Sequence, residues 1–150
     1  KSLGEARRRL QDEAVLARVS AALETLFADE NLSLARLARK ACLPARDVSV
    51  AINRATGLNV SQFVNNRRVA EACRLLDETG KSATTILFEV GFSTKSNFNR
   101  EFRRVTGTNP RQWKARDKAH LLCLVMGLIL LPERNKLETS SNHNPVQEGA

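Results

Sequence analysis

The sequence predicts an all-α fold, and three observations carry that prediction. Of its 150 residues only 7 are glycine and 4 are proline, too few for the many tight turns of a β-sandwich or barrel. Hydrophobic residues make up 42% of the chain, which is enough for a packed core. Apolar residues recur at three- and four-residue steps along most of the chain, which is the period of an α-helix.

Seven helices are predicted in order, each from its apolar stripe and its end signals. The predicted ranges are 5–28, 34–42, 45–55, 61–78, 82–90, 94–105 and 110–116. Short polar side chains at four of their starts are candidate N-caps: Ser33, Ser61, Ser82 and either Ser93 or Thr94. Glycine, the usual helix terminator, follows three of them, at Gly57, Gly80 and Gly107. Pro110 falls in the first turn of the last helix, where proline is tolerated.

One helix pair is a copy of another. The pair at about residues 33–57 recurs at about residues 82–107, with a connector helix at about 61–78 between them. The offset is 49 residues before the turn and 50 after it. Matched positions include Cys42 with Gly91, Ile52 with Phe102, Arg54 with Arg104, and the tetrads Thr-Gly-x-Asn at 56–59 and 106–109. The sequence therefore predicts two helix-turn-helix subdomains joined by a long connector helix.

The net charge of +8 is concentrated in the middle of the chain. Residues 31–80 hold 8 basic and 4 acidic side chains, and residues 81–118 hold 9 and 3, whereas each end of the chain has a net charge of −1. A basic middle between nearly neutral ends is typical of a surface that binds a polyanion. Charge alone leaves open the alternative of a well-solvated basic surface.

The second helix of the second unit carries candidate side chains for reading DNA bases. Phe98 and Phe102 are predicted to face inward, because their spacing matches the helical period. The outer face then presents Lys95, Ser96, Asn99 and Arg100. Asn99 suits adenine and Arg100 suits guanine, each through two hydrogen bonds. An ordinary polar helix surface is the alternative for this face and for its counterpart in the first unit.

The first unit has a less polar outer face. Its candidate base-reading residues are Arg46, Ser49 and Val50. Val50 is limited to an apolar contact, for example with a thymine methyl group, so we expect less discrimination here. Phosphate contacts are expected from Arg54, Thr94, Arg103, Arg104, Asn109 and Arg111. The connector helix spans roughly 27 Å, close to the roughly 34 Å between successive major-groove faces, so one chain is expected to read two elements about one helical turn apart.

These residues resemble the DNA-binding domain of the AraC/XylS family of bacterial transcription regulators. The resemblance covers about residues 14–116, and its strongest stretch is Glu89–Pro110, EVGFSTKSNFNREFRRVTGTNP. The connector helix also matches the family at Arg68, Ala72, Leu75 and Leu76. The resemblance implies seven helices, two helix-turn-helix units, and a separate sensing or dimerising domain. It also implies that the outer-face residues named above for both units approach bases.

The chain departs from the family pattern at three positions. Val50 stands where the family usually has a cation, Leu87 replaces a small alanine where two helices cross, and Arg67 replaces an apolar residue. The combination N-x-x-x-F-V-N with G-F-S-T-K-S-N-F-N resembles a subgroup whose N-terminal part is embedded in the membrane. The resemblance therefore implies a cytoplasmic, nucleoid-bound domain, tethered to the inner membrane if such a part precedes it.

The chain is predicted to divide into three parts. Residues 1–13 are expected to link to a missing N-terminal region, 14–116 to form the domain, and 117–150 to hold an apolar segment and a polar tail. The apolar segment, Leu121–Leu131, is too short to cross a bilayer. Packing on its own domain is the first expectation for it, and a subunit contact, a poorly structured end and a membrane contact are the alternatives. Double-stranded DNA is the expected partner, with RNA polymerase and a second copy as further candidates. The second copy would bind through Leu121–Leu131 or the missing N-terminal domain.

No enzymatic chemistry is predicted. Cys42, Cys73 and Cys123 are 31 and 50 residues apart, so they form no metal or redox pair and are expected to be small buried hydrophobes. No acid/base pair or phosphate-cradling glycine loop is present in the sequence. We therefore expect no metal, no cofactor and no small-molecule ligand for this part of the protein. The alternative function is a basic helical module that binds proteins or membrane surfaces.

Overall fold

The computed structural model describes residues 2–115 and folds them into helices joined by short turns. Its seven helices are α1 Leu3–Leu26, α2 Leu34–Ala41, α3 Ala45–Thr56, α4 Val60–Glu78, α5 Ala83–Glu89, α6 Lys95–Thr106 and α7 Pro110–Ala115. The part of the chain that is described contains no β-strand, so the predicted all-α fold is confirmed there. The predictions for Arg116, Cys123, Leu121–Leu131 and the polar tail lie outside the described residues.

The first unit is built on a mainly aliphatic core. Helices α1, α2 and α3 pack together, and the N-terminal half of α4 closes the cluster through Val64. The buried residues of this first core are Val19, Ala22, Leu23, Leu37, Ala38, Ala41, Val48, Ile52 and Val64. Helix α1 extends well beyond this core, because most side chains of residues 3–14 are exposed. Residues 3–13 of the predicted linker form the first turns of α1, and their role as a linker stays a prediction.

The second unit is built on an aromatic core. Helices α5, α6 and α7 pack against the C-terminal half of α4, and four rings lie in a row. The ring centroids of Phe92 and Phe98 are 5.3 Å apart, those of Phe98 and Phe102 are 5.5 Å apart, and those of Phe102 and Trp113 are 6.2 Å apart. Leu87, which replaces the usual small residue, is only 1% exposed and belongs to this core.

The two turns share one backbone geometry. Cys42 and Gly91 both have positive φ, at 56° and 104°. The amide of Leu43 donates to the carbonyl of Ala38, and 49 residues later Phe92 donates to Leu87 in the same way. The repeat is thus a repeat of structure as well as of sequence. It also corrects the prediction that all three cysteines are buried: Cys42 is exposed because it lies at the surface turn. Cys73 is buried, which raises the pKa of its thiol to about 12.

The Thr-Gly-x-Asn tetrads end one helix and begin the next. Thr56 and Thr106 donate their hydroxyls to the carbonyls of Ile52 and Phe102, at 2.6 and 2.8 Å. In each tetrad the glycine takes positive φ, 72° for Gly57 and 76° for Gly107. The asparagine then caps the following helix through its side-chain oxygen. The tetrad therefore controls where α3 and α6 stop.

One predicted cap is wrong, and others are confirmed. Helix α4 starts at Val60 and is capped by Asn59, so that Ser61 lies within its first turn. The reason is a reciprocal pair: Asn59 Oδ1 accepts from the Gln62 amide at 2.8 Å, and Gln62 Oε1 accepts from the Asn59 amide at 3.1 Å. Ser33 and Ser82 cap their helices as predicted. Of the pair left open, Thr94 is the cap of α6.

Candidate nucleic-acid interface

The outer face of α6 is polar and open to solvent. Thr94 Oγ1 accepts from the Asn97 amide at 3.2 Å and starts the helix. Phe98 and Phe102 are buried and hold the inner face against the second core. The four side chains predicted to read bases in this unit are all exposed: Lys95, Ser96, Asn99 and Arg100. The structure thus brings the four together on the side of α6 that faces away from the core.

Arg100 has its guanidinium directed toward the start of α6. Its side chain is 74% exposed, and its Nη2 donates to Asn97 Oδ1 at 2.7 Å. A recognition helix contacts base edges with its N-terminal residues, so this direction suits a base-reading arginine. Sequence reasoning missed Asn97. The sequence did carry a signal for this contact, because Asn97 lies three residues before Arg100, a spacing at which side chains on a helix can touch.

The outer face of α3 offers fewer polar groups. Arg46 is exposed, Ser49 is half-buried, and Val50 is 39% exposed. The exposed carboxylate of Asp47 follows Arg46 directly and offsets its charge. The three predicted residues therefore lie on the expected face of α3. One of these three is a cation, whereas two of the four predicted residues on α6 are cations.

The six predicted phosphate contacts fall into three groups. Arg103 and Arg111 are exposed, and no hydrogen bond or ion pair within residues 2–115 engages their guanidinium groups. Thr94 and Asn109 are exposed helix caps, each with a side-chain oxygen already accepting a backbone N–H. Arg54 and Arg104 lie at the surface but are paired with other side chains of the protein, as described next.

Arg54 and Arg104, matched in the repeat, both pair with groups of the protein. Arg54 Nη1 lies 3.2 Å from Asp12 Oδ2 of α1. Arg104 donates to Glu101, at 3.0 Å from Nε and 2.7 Å from Nη2, and also reaches α4. A guanidinium that already has a carboxylate partner gains less from a phosphate than an unpaired one. Their predicted role as phosphate contacts therefore has less support than that of Arg103 and Arg111.

Arg68 joins the two units from the middle of α4. It is only 8% exposed, and its guanidinium donates to the carbonyls of Phe27 at 2.7 Å and Asp29 at 2.8 Å, at the end of α1. Burial lowers the pKa of Arg68, and Asp29 opposes that shift. Its other neighbour is the turn of the second unit, where a Cβ on Gly91 would lie 2.9 Å from Arg68 Nε. Arg68 thus ties the end of α1 to the second turn.

A second arginine closes the seam between α1 and α4. Arg67 pairs with Glu24, with Nε–Oε1 at 2.7 Å and Nη2–Oε2 at 2.9 Å, and lies 4.3 Å from the centre of the Phe27 ring. The hydrogen bond with Glu24 raises the pKa of Arg67 and lowers that of Glu24. This cation, where the family has an apolar residue, is therefore used in packing and pairing within the protein.

None of the helices in residues 2–115 is long and apolar enough to cross a membrane. Within the same range, no three histidine, cysteine, aspartate or glutamate side chains are grouped so as to hold a metal ion.

Comparison with known proteins adds relatives in sequence. The family described as "Helix-turn-helix domain" matches residues 37–116. The arabinose operon regulatory protein of Escherichia coli (strain K12) is 30% identical over 89 residues, which cover 59% of this chain and 30% of that protein. The HTH-type transcriptional activator RhaS of Pectobacterium carotovorum is 30% identical over 82 residues, covering 55% of this chain and 29% of that protein. The chain thus spans about 30% of the length of these relatives.

Solved structures share the fold. A transcriptional regulator from Chromobacterium violaceum, described as containing an AraC-type DNA-binding domain, has a TM-score of 0.60 at 24% identity, covering 71% of this chain and 96% of that one. The DNA-binding domain of AdpA, solved with a target DNA, has a TM-score of 0.57 at 24% identity, covering 79% of this chain and 96% of that one. Both cover more of this chain than the matched family region does.

Proposed function

Because the chain belongs to the helix-turn-helix domain family, in its AraC-type branch of transcription regulators, we propose that it binds two DNA elements on one face of a duplex. The resemblance to the AraC/XylS family is thereby confirmed. The proposal concerns how this chain does so. Helix α6 enters one major groove and reads bases, and α3 enters the next and mainly holds the DNA.

The observation that carries this proposal is the outer face of α6. Four exposed side chains follow one another there in two adjacent turns, all opposite a rigid aromatic core. Asn99 and Arg100 supply the two hydrogen-bonding patterns that suit adenine and guanine. Arg103 and Arg111 are the exposed cations best placed to add phosphate contacts. Lys95 and Ser96 complete the face at the N-terminal end, which enters a groove first.

The first unit is proposed to contribute affinity more than discrimination. Arg46 supplies one cation, Ser49 one hydroxyl and Val50 one apolar contact. Helix α4, with 19 residues, is roughly 28 Å long, which suits two elements about one helical turn apart. A single chain then contacts both elements without dimerising.

The rest of the protein extends this proposal. Since the chain spans about 30% of its relatives, sensing and dimerisation are assigned to parts outside it. One relative is named a transcriptional activator, which supports activation through a contact with RNA polymerase. A second copy would join through Leu121–Leu131, or through an N-terminal domain if one precedes this part of the protein. The proposed site of action is the cytoplasmic nucleoid, where the DNA is, with tethering to the inner membrane if a membrane-embedded region precedes this part of the protein.

Selection of binding sites from random duplex DNA, at about 150 mM salt, tests the proposal. We expect enrichment of two unlike elements about 10 base pairs apart, with stronger sequence preference in the element that α6 reads. Anionic lipid vesicles at the same salt serve as the control for a purely charge-driven surface. Retention on DNA without enrichment, or a preference for the vesicles, would contradict the proposal and favour the basic interaction module.

A further inference from the structure

Arg104 is directed toward the connector helix and away from the outer face of α6. Its Nη2 donates to Asn66 Oδ1 at 2.7 Å and lies 3.3 Å from the carbonyl oxygen of Gln62. Both acceptors belong to α4, and they are four residues apart, so they lie one above the other on one face of that helix. Arg104 therefore bonds the recognition helix of the second unit to the connector helix.

The part of α4 that Arg104 contacts belongs to the first unit. Val60 and Phe63 pack against the first core, and Val64 is buried in it. Gln62 and Asn66 alternate with these residues along the same two turns of α4. The hydrogen bonds of Arg104 therefore run from the second unit to the end of α4 that is fixed in the first unit.

Glu101 holds the Arg104 guanidinium in place. Its side chain is 9% exposed, and its Oε2 accepts from both Nε and Nη2 of Arg104, at 3.0 and 2.7 Å. The Arg104 side chain itself is 28% exposed, so water screens the pair only in part. A guanidinium anchored by a nearly buried carboxylate has little freedom to swing toward a phosphate, and its Nη2 is directed at α4.

The matched residue of the first unit makes a different kind of bond. Arg54 pairs with Asp12 of α1, and both helices belong to the same unit. The two arginines occupy equivalent positions in the repeat and have the same chemistry, but only Arg104 crosses between units. The chain thus contains a matched control for the Arg104 contact between the two units.

We propose that Arg104, held by Glu101 and bonded to Asn66 and Gln62, is a positioning residue that fixes the angle between α6 and α4 and so sets the base-pair spacing that the two recognition helices accept. This inference rests on the proposed function, because it assigns a spacing preference to the two-element site. It makes Arg104 a specificity determinant that touches no base.

The test compares spacer lengths in the selected DNA site. Duplexes with the selected spacer, and with one base pair more or fewer, are titrated with the unaltered chain and with R104A, N66A and R54A. One base pair turns the second element by about 35° and moves it by about 3.4 Å, so the unaltered chain should lose about tenfold in affinity on the altered spacers. R104A should lose less than about threefold relative to its own best spacer, and N66A should change in the same direction. R54A should keep the tenfold ratio.

Other patterns overturn the proposal. If R104A binds every spacer less tightly by one common factor, Arg104 is a phosphate contact or a purely structural residue. We call the hydrogen bonds of Arg104 to Gln62 and Asn66 the joint. If R54A reduces the affinity loss on altered spacers as much as R104A does, the spacing preference does not depend on the joint. N66A removes the acceptor on α4 and leaves every cation in place. If N66A keeps the tenfold preference for the selected spacer, the hydrogen bond to α4 does not set the spacing.

A measurement without DNA separates this proposal from the proposed function. In a C123S background, one nitroxide label is placed at each turn, on the exposed Cys42 and on S93C. Pulsed electron paramagnetic resonance then gives the distribution of distances between the two labels. We expect R104A and N66A to broaden the distribution and R54A to leave it unchanged. Broadening in a chain that selects no DNA site would show that the joint exists and that the proposed function fails. An unchanged distribution in R104A would overturn the joint itself.

Discussion

The two helix-turn-helix units share their turns and helix caps, but they differ in the core behind the turn and in the face before it. The turns make the same hydrogen bonds 49 residues apart, and both tetrads close a recognition helix at a positive-φ glycine. Behind α3 the core is mostly aliphatic, whereas behind α6 it includes three phenylalanine rings and one tryptophan. The backbone has thus been kept while the side chains of the two copies have diverged.

The two units also differ in the helices that pack against α3 and against α6. The first recognition helix packs against the 24-residue α1, which supplies much of the surface around it. Within residues 2–115, the second packs mainly on α4, with the 7-residue α5 and Trp113 of the 6-residue α7 beside it. Large rings bury more area per residue than aliphatic side chains do, so fewer residues can fix the helix. A firmly held α6 suits a helix proposed to read bases, because base reading needs accurately placed side chains.

The largest expected effect is the loss of a ring from the second core. F102A should lower the free energy of unfolding by about 3–5 kcal/mol, because Phe102 is fully buried and its ring contacts two others. I52A, the matched change in the first core, should cost about 1 kcal/mol less, since no aromatic pair is lost. Urea unfolding followed by circular dichroism measures both values. Equal losses of unfolding free energy in F102A and I52A would mean that contacts between the rings add no stability beyond that of burying an apolar side chain.

Next comes a pair of substitutions at the matched turn positions, with effects of opposite sign. G91A should destabilise the protein by about 3 kcal/mol, because an added Cβ at this positive φ would lie 2.6 Å from the Phe27 carbonyl oxygen and 2.9 Å from Arg68 Nε. C42G should stabilise it by about 0.5–1 kcal/mol, since glycine removes the strain of a side chain at φ 56°. Thermal unfolding of the two variants checks the signs. A stable G91A variant would show that the end of α1 can move away from the turn.

How far the sequence predicts this molecule follows from the range of the interactions involved. The helices, the inward Phe98 and the cap at Ser33 are set within one or two turns of chain, and the predictions for them hold. The cap at Ser61 was predicted wrongly, although the matched glutamines three residues after Asn59 and Asn109 carried a signal for the correct one. The predicted outer-face residues of α6 are on the expected face, because helical spacing alone decides that.

The partners of the arginines lay beyond local patterns. Arg54 meets Asp12 across 42 residues of chain, Arg104 meets Asn66 across 38, and Arg68 meets Phe27 across 41. A cation on a helix face looks the same in the sequence whether it points to solvent, to a phosphate or to another helix. Only the packing of the units decides among them, which is why two of the predicted phosphate contacts turned out to be paired inside the protein.

A smaller effect separates the two outer faces. R100A should weaken binding to the selected DNA site by about 1–3 kcal/mol and relax the preference at one base pair. V50A should weaken it by less than about 1 kcal/mol, because Val50 can offer only an apolar contact. Titration on the selected site and on random duplex DNA gives both numbers. If R100A loses as much on random DNA as on the site, Arg100 contacts phosphate and the difference between the units disappears.

The smallest expected effect concerns acid stability, and it belongs to α4 and to the seam between α1 and α4. A hydrogen bond from Arg74 lowers the pKa of Glu71, one from Arg67 lowers that of Glu24, and the Asn31 amide lowers that of Asp29. A lowered carboxyl pKa stabilises the fold above the unfolded value, 4.5 for Glu71, and this stabilisation is lost as the pH falls through the folded value. The free energy of unfolding should therefore decrease as the pH is lowered from about 6 to about 3. E71Q should make this decrease smaller, by less than about 1 kcal/mol, as urea unfolding at each pH would measure.

E89Q is the matched control, because it removes the exposed pair of Glu89 with Lys81 in the second unit, where water screens the charges. A larger change in E89Q than in E71Q would place the acid-sensitive contacts at this exposed pair and not on α4, and would contradict the expectation.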